Sequence, residues 1–509
     1  MTLACTPTGT LKSTRMNILD RPVGEWEVAL VTRDSDSPLY VRIVQAVVGD
    51  IRRGRLVPGQ RLPGSRTLAS RLGVHRNTVL AAYTELEAEG WIASDPARHT
   101  VVCETLPDAV PPARRAAADA ATLGFPLRGR EPHADSDDPG QGLLLSDGTP
   151  DPSLVPRAAL ARAYRRVLRG KSASVLGYGD PRGHERLRAA LAGMLAATRG
   201  LRADASGVLI TSGSQMALSL LGRALIQPGD VVAIEALGYR PAWQALEACG
   251  AKLVPVALDA EGLRVDQLEA LAARTPLRAL YVTPHHQYPT TATLGASRRL
   301  ALLEVARKHR IAIIEDDYDH EFHYHGRPVL PLASADTAGV VVYVGTLSKV
   351  LAPGLRLGYI VAPARVLARC ASERAHLDRQ GDTVAECAVA ELLEDGELSR
   401  HARRMRRVYQ ARREALVASI ERCLPGRLRA VPASGGMALW AEATGVDVDA
   451  WAERARAQGI VLFTARWFAF DRRPRPFVRL GFAVRSADET ARAIEQLAKL
   501  LPPRARHAR

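Results

Sequence analysis

Of 69 basic side chains in this chain only six are lysines. One of them, Lys349, stands directly after Ser348, in a turn that follows the apolar run Val340–Val344. A Schiff base with an aldehyde needs a primary amine, which arginine cannot supply. Thr346 and Ser348 set hydroxyls beside that amine, and Arg356 follows seven positions later with a guanidinium suited to a dianionic phosphate. A second apolar run, Ile311–Ile314, leads into the carboxylates Glu315, Asp316, Asp317 and Asp319. The carboxyl end of a strand is where open α/β sheets bind ligands. Thr211-Ser212-Gly213-Ser214-Gln215 joins a strand to a helix, where backbone N–H groups and the helix dipole favour phosphate. Arg479, in Phe477-Val-Arg-Leu-Gly481, offers a two-point grip on a carboxylate.

A different chemistry is written near the start of the chain. Ser37-Pro38 reads as the beginning of a helix in which Leu39, Ile43, Val47 and Ile51 recur at helical spacing until Gly54. Ser65 reads as the cap of a short second helix with Leu68, Ala69 and Leu72 inward, broken by Gly73. His75-Arg76-Asn77 opens a third helix, with Val79, Tyr83 and Leu86 inward, ended by Gly90. Trp91-Ile92 and Val101-Val102 then read as a hairpin. Three helices and a hairpin in this order predict a winged helix-turn-helix over residues 37–103. Arg66 would open the second helix, and Arg76, Asn77 and Thr78 the third, where a recognition helix contacts base edges. Nine arginines face five acids across this segment. Glu85, Glu87 and Glu89 gather at the other end of the third helix.

Residues 1–36 read as a leader and 104–140, rich in Pro, Ala and Asp, as a linker. From 141 to 509, helices alternate with short continuous apolar strands, Val208–Ile210, Val231–Ile234, Leu280–Val282, Ile311–Ile314 and Val340–Val344. Continuous rather than alternating strands predict a parallel sheet covered on both faces. The formal net charge of +15 favours an anionic partner. Six cysteines without a C-x-x-C pair predict neither a disulfide framework nor a metal site, and suit a reducing cytoplasm. No apolar run is long enough to span a membrane, and no signal-peptide core opens the chain.

The stretch Leu62-Pro-Gly-Ser-Arg-Thr-Leu-Ala-Ser-Arg-Leu-Gly-Val-His-Arg-Asn-Thr-Val79 resembles the helix-turn-helix of the GntR group of bacterial regulators. The resemblance implies that Ser65, Arg66, His75, Arg76, Asn77 and Thr78 face operator DNA. Gly64 stands where that group usually has serine. The wing tip Asp95–His99 lacks the usual glycine-rich turn, so minor-groove contact by Arg98 or His99 is an open reading.

Gly345-Thr-Leu-Ser-Lys349 through Tyr359 closely resembles the cofactor-lysine segment of fold-type I aminotransferases. It implies pyridoxal 5'-phosphate (PLP) held as a Schiff base on Lys349. By the same resemblance Asp316 pairs with the pyridine nitrogen, with Asp317 as the alternative if the register shifts by one, and Tyr318 meets the ring hydroxyl. Gly213, Ser214, Gln215, Thr346, Ser348 and Arg356 surround the phosphate. Tyr239 stacks on the ring or is a core tyrosine. Tyr178 reaches the phosphate of a neighbouring subunit, which implies a homodimer. Arg479 grips the carboxylate of an amino-acid effector.

Thr283-Pro-His-His-Gln-Tyr-Pro-Thr-Thr291 departs from ordinary aminotransferases by placing Tyr288 where they have asparagine, and Thr291 where they have glycine. Either His286 or Gln287 is a candidate to approach the cofactor. The H-Q-Y-P-T text resembles the MocR subgroup, in which a GntR-type reader is fused to an aminotransferase-like domain. The expected fold class is therefore α/β, an N-terminal winged helix-turn-helix plus a large fold-type I PLP-dependent transferase-like domain. The expected function is a PLP-dependent transcription regulator that senses PLP, an amine or an amino acid. The alternative is a working aminotransferase with an accessory DNA-binding module.

Overall fold

The computed structural model describes residues 38–94, 99–107, 142–145, 148–170, 173–326, 328–431 and 433–501. The leader, most of the linker and Arg98 lie outside the described residues. The chain divides into two compact units, residues 1–133 and 134–509.

In the first unit α1 (Leu39–Arg52), α2 (Ser65–Leu72) and α3 (Arg76–Ala88) precede a hairpin of β1 (Ile92–Ser94) and β2 (Thr100–Val102). Ile43, Val47 and Ile51 of α1 meet Leu68, Val79, Leu86 and Trp91 in one core. Leu39, expected inward, is exposed; it is the first residue of α1, ahead of the buried run that begins at Ile43. Gly64, not Ser65, is the cap residue of α2; Ser65 is its first helical residue. The Ser65 hydroxyl instead accepts from Arg76 Nε at 3.4 Å, across the turn between the two helices. That turn needs the left-handed backbone of Gly73 (φ 64°). His75 caps α3, its Nδ1 accepting from the Asn77 N–H at 3.3 Å. Tyr83 ties α3 to the entry of α2 by donating to the Pro63 carbonyl at 2.7 Å. Ile92 pairs with Val102 and Ser94 with Thr100 in the antiparallel hairpin.

The second unit is built on a seven-stranded sheet. Its strand order is Val208–Thr211, Gly358–Val361, Val341–Thr346, Ala312–Asp317, Leu277–Val282, Val231–Glu235, Lys252–Val256. The sheet is mixed rather than wholly parallel, because Gly358–Val361 runs antiparallel to both neighbours. Residues 347–357 are too short a connection for the crossover of a dozen or more residues that a parallel return requires. Alternate residues bury opposite faces. Val208 and Ile210 pack with Leu191, Leu195 and Leu392 of the helices Glu185–Arg199 and Thr383–Glu394. Leu209 packs on the other side with Leu218 and Leu246 of Ser214–Leu225 and Arg240–Ala248.

A smaller antiparallel sheet follows, in the order Leu428–Ala430, Ala438–Ala443, Phe477–Gly481, Phe463–Thr464. The helices Glu397–Cys423 and Ala487–Lys499 pack against it, the latter opened by a Ser486/Glu489 capping box. No helix among the described residues is long and apolar enough to cross a membrane.

Candidate cofactor cleft and DNA-reading face

Strand geometry separates the two neighbouring aspartates at the end of Ala312–Asp317. Asp316 lines a cleft of about 330 Å³. Asp317 leaves the opposite face, where it accepts from the Tyr343 hydroxyl at 2.7 Å and lies 2.9 Å from His320 Nδ1. Burial pushes Asp317 up, but His320, His285 and Arg199 outweigh it and hold the carboxyl well below the usual range. Asp316 is in the reverse position. Burial raises it to about 7, helped by the nearby Asp317 and Asp319 and opposed by the hydrogen bond from Tyr281. Its Oδ2 accepts from the Tyr281 hydroxyl at 2.8 Å, while Oδ1, buried, has no partner among the described residues.

Lys349 enters the same cleft from the turn after Val341–Thr346, with Thr346 and Ser348 beside it. The Thr346 hydroxyl donates to the Leu357 carbonyl at 3.3 Å and accepts from the Ser348 N–H at 3.1 Å, which closes the turn. Arg356 arrives in a left-handed conformation (φ 51°) and donates to the Ser212 carbonyl at 2.8 Å. Gly213 is the cap residue of the helix Ser214–Leu225, at φ 85° and ψ 172°, a region open essentially to glycine alone. A Cβ there would lie 2.8 Å from the Arg356 guanidinium. The helix N-terminus, Ser214, Ser348 and Arg356 thus surround one end of the cleft. Gln215 is turned from it, donating to the Pro241 carbonyl at 2.9 Å.

Arg479 closes the other end. It is fully buried, donates from Nη1 to the Pro289 carbonyl at 2.6 Å, and lies 4.5 Å from the centre of the Tyr288 ring. Tyr288 meets Tyr239 and Phe468 edge-on at 5.5 Å each. Tyr318 donates to the His286 carbonyl at 3.0 Å and, with Tyr239, lines the cleft.

Neither His286 nor Gln287 lines it. His286 Nδ1 pairs with Asp319 Oδ1 at 2.7 Å, and the Gln287 amide donates to the Leu237 carbonyl at 2.8 Å. Thr291 takes the left-handed conformation itself (φ 60°), so the backbone form a glycine would allow is kept. Tyr178 is 80 % exposed and does not reach this chain's own cleft; Arg379 lies 4.0 Å over its ring.

Sequence reasoning missed several lining residues: Tyr281, Thr283, Arg240 and an aromatic wall of Phe463, Trp467 and Phe468. Three large aromatics within six positions, in a chain with 5 % aromatics, were the available signal for that wall.

On the first unit, Arg66, His75, Arg76 and Asn77 are exposed, and Ser65 and Thr78 are half-buried, around the α2–α3 turn. His99 at the hairpin is also exposed.

The cleft fits PLP on its own geometry. The orphaned Asp316 Oδ1 calls for a buried N–H donor, the primary amine of Lys349 suits an aldehyde, and the opposite end is a helix N-terminus with hydroxyls and a guanidinium. Together with the mixed sheet and the small C-terminal sheet, it defines a fold-type I PLP domain joined to a helix-turn-helix reader. Residues 141–497 match the family Aminotransferase class I and II, and residues 39–102 match Bacterial regulatory proteins, gntR family. The chain belongs to the MocR-type GntR regulators. It is 33 % identical over 462 residues to the probable rhizopine catabolism regulatory protein MocR of Rhizobium meliloti, covering 89 % of this chain and 92 % of that one. It is 34 % identical over 486 residues to the HTH-type transcriptional regulator TauR of Rhodobacter capsulatus, covering 91 % and 96 %. Among solved structures, the α-aminoadipate aminotransferase LysN of Thermus thermophilus, complexed with N-(5'-phosphopyridoxyl)-L-leucine, is similar at a TM-score of 0.66 and 29 % identity, over 70 % of this chain and 92 % of that one.

Proposed function

We propose that this chain is a transcription regulator that binds operator DNA through α2 and α3 and senses PLP, or an amino compound meeting PLP, in the cleft of its large domain. When bound, PLP supplies an aldehyde reactive toward primary amines and an electron-poor ring. Lys349 offers the resident amine. Asp316, through its unpartnered Oδ1, would hold the pyridine N–H, and Tyr318 would meet the ring hydroxyl. The start of Ser214–Leu225, with Gly213, Thr346, Ser348 and Arg356, would orient the phosphate, Gln215 contributing no side chain there. Tyr239 lies against the ring, and Arg479 holds the carboxylate of an amino-acid effector. Ser65, Arg66, His75, Arg76, Asn77 and Thr78 form the DNA face. The working division is a reader at 37–103, a linker at 104–140 and an effector domain at 141–509.

The observation that carries this reading is one chain holding both Lys349, Asp316 and Arg479 in a single cleft and Arg66, Arg76 and Asn77 exposed on a helix-turn-helix. An effector shifts such a regulator only by its difference in affinity between two states. A homodimer is supported by Tyr178, which is exposed and clear of this chain's own cleft, and by the exposure of Leu176 at 75 % and Leu168 at 58 %.

The intact cleft equally serves a second reading, an aminotransferase with an accessory DNA module. Operator binding and oxo-acid production should be measured together across amino acids and ω-amino acids. A regulator changes its DNA affinity or footprint with one ligand and turns over negligibly; Lys349→Ala abolishes that response. Repeated turnover with a common donor, and DNA binding indifferent to every donor and to PLP, would establish the enzyme instead.

A further inference from the structure

Outside the cleft the second unit carries a buried histidine cluster that the cofactor chemistry does not use. His285 and His286 follow the strand Leu277–Val282, and His320 and His323 follow Ala312–Asp317. All four are at most 8 % exposed. The rings of His285 and His286 are 4.3 Å apart, and those of His286 and His323 are 6.0 Å apart and nearly parallel. Both ring nitrogens of His285, Nε2 of His286 and Nδ1 of His323 have no hydrogen-bond partner among the described residues. Buried polar atoms are nearly always paired, so this many orphans in one place call for a ligand. Imidazole nitrogens with free lone pairs accept; they suit a borderline divalent metal.

We propose that His285, His286 and His323 bind one divalent transition-metal ion of the zinc class. One nitrogen from each ring already lies within 4.8 Å of the others. Tetrahedral zinc–imidazole bonds would draw them to about 3.4 Å apart. His323, the most exposed of the four at 8 %, has the most freedom to make that adjustment.

The surroundings are those of a ligand shell. Asp319 Oδ1 holds His286 Nδ1 at 2.7 Å, the carboxylate–histidine relay that orients a metal-binding imidazole and leaves Nε2 for the ion. A fourth position is left for water. The cysteine pattern predicted no metal site; the one proposed here goes against that expectation, being all-imidazole and using no thiolate.

One of these histidines could be joined in another way, since His285 also groups with Asp317 and His320. There Asp317 already accepts from Tyr343 at 2.7 Å and has the Arg199 cation 3.8 Å away, which disfavours a second cation. The first group has a structural use as well. His323 bridges to Gly435, and the Gly436 N–H donates to the Phe322 carbonyl at 2.8 Å. An ion there would tie the loop bearing Tyr288, the loop bearing Tyr318 and the turn between Leu428–Ala430 and Ala438–Ala443 into one body.

The test uses full-length, PLP-loaded protein stripped of metal with a chelator, titrated with Co2+ and with Zn2+ by calorimetry and visible absorbance. One equivalent should bind, with the intense visible band of low-coordinate cobalt, no thiolate-to-metal charge transfer, and a raised melting temperature. His323→Gln and His285→Gln should each weaken binding about a hundredfold or more while the PLP absorbance stays, showing that the fold is intact. Asp319→Asn should weaken it about tenfold. The proposal fails if folded wild type binds no stoichiometric metal, if His323→Gln and His285→Gln bind as wild type does, or if His320→Gln alone abolishes binding, which would move the site to the Asp317 group.

Discussion

Tyr281 donates its hydroxyl hydrogen to Asp316 at 2.8 Å from the adjacent strand. Tyr281 is registered opposite Ile314, two positions before Asp316, so both side chains leave the same face of the sheet. The bond stabilises the ionised carboxylate against burial, which otherwise drives Asp316 toward neutrality. It thereby sets how well Asp316 can hold a protonated pyridine.

Tyr281→Phe keeps the ring and removes that donor. Losing one hydrogen bond to a buried charge costs about 1–3 kcal/mol. PLP affinity, followed by absorbance titration, should fall by about tenfold, and the PLP-free protein, which makes the same bond, should melt somewhat earlier. Wild-type affinity in the variant would remove Tyr281 from the cofactor's support.

Gly213→Ala tests the phosphate end. At φ 85° and ψ 172° an alanine is strained by about 1–3 kcal/mol, and its Cβ would press on the Arg356 guanidinium. PLP should bind at least about tenfold more weakly, and free phosphate should protect the variant less against heat. Equal protection of both proteins would argue that phosphate sits elsewhere.

Glu235, fully buried, is raised to about 7 from its ordinary 4.5 by burial, against hydrogen bonds from Thr283. A carboxyl that holds its proton more tightly when folded favours the native state at low pH. Its contribution declines as pH rises from about 4.5 to about 7 and stays at its minimum above. Glu235→Gln should therefore match wild type near pH 5 and exceed it by about 2–3 kcal/mol near pH 8 in urea unfolding. An identical offset at both pH values would mean that Glu235 does not titrate in this window.

Arg66→Ala and Arg76→Ala should each cost about 1–3 kcal/mol of operator affinity. A base-reading arginine relaxes preference at one base pair, whereas a phosphate contact weakens all sequences and flattens the salt dependence. Ser65→Ala, which frees Arg76 from its 3.4 Å contact, should show a smaller loss in the same direction. Binding curves unchanged in both arginine variants would place the reading face on another part of the unit.

Arg479→Ala should blunt the response to an amino-acid effector and spare basal DNA binding. The guanidinium is buried against Tyr288, and its Nε is without a hydrogen-bond partner among the described residues, so part of its capacity is open to a ligand. If PLP alone is the signal, this variant should respond like wild type and Lys349→Ala should not.

What sequence carried best was chemistry local to a strand end. Lys349 and Asp316 could be read because a continuous apolar run announces a buried strand, and its last residues then fall at the ligand-binding edge. The period of two also distinguishes Asp316 from Asp317, but only once the register is known, and the register comes from neighbouring strands. Tyr281 was unreadable for that reason: it is 35 positions from Asp316 in the chain and adjacent only through the sheet. Trp467 and Arg240 reach the cleft from the helices Ala465–Phe468 and Arg240–Ala248, both more than 100 positions from Lys349 in the chain. The reversed strand Gly358–Val361 was not among the strands read from sequence, and the sheet was expected to be parallel because burial on both faces, not direction, makes a strand apolar throughout. Ser65 was misplaced by one position because a serine at the first helical residue and one at the cap look alike in text, and here Gly64 supplies the extended backbone.

The opposite aim of Asp316 and Asp317 has a genetic consequence. A substitution in the strand Ala312–Asp317 disturbs one side chain, but adding or deleting a single codon there would exchange the two faces. Asp317 would leave its network with Tyr343 and His320 for the cleft face, and Asp316 would leave the cleft and its bond from Tyr281 for the face of Arg199. Both ends of the exchange are unfavourable at once. Length variation in this family's sequences should therefore be absent from this strand even where residue identity drifts, and an in-frame one-codon insertion scan should find it among the least tolerant stretches of the chain.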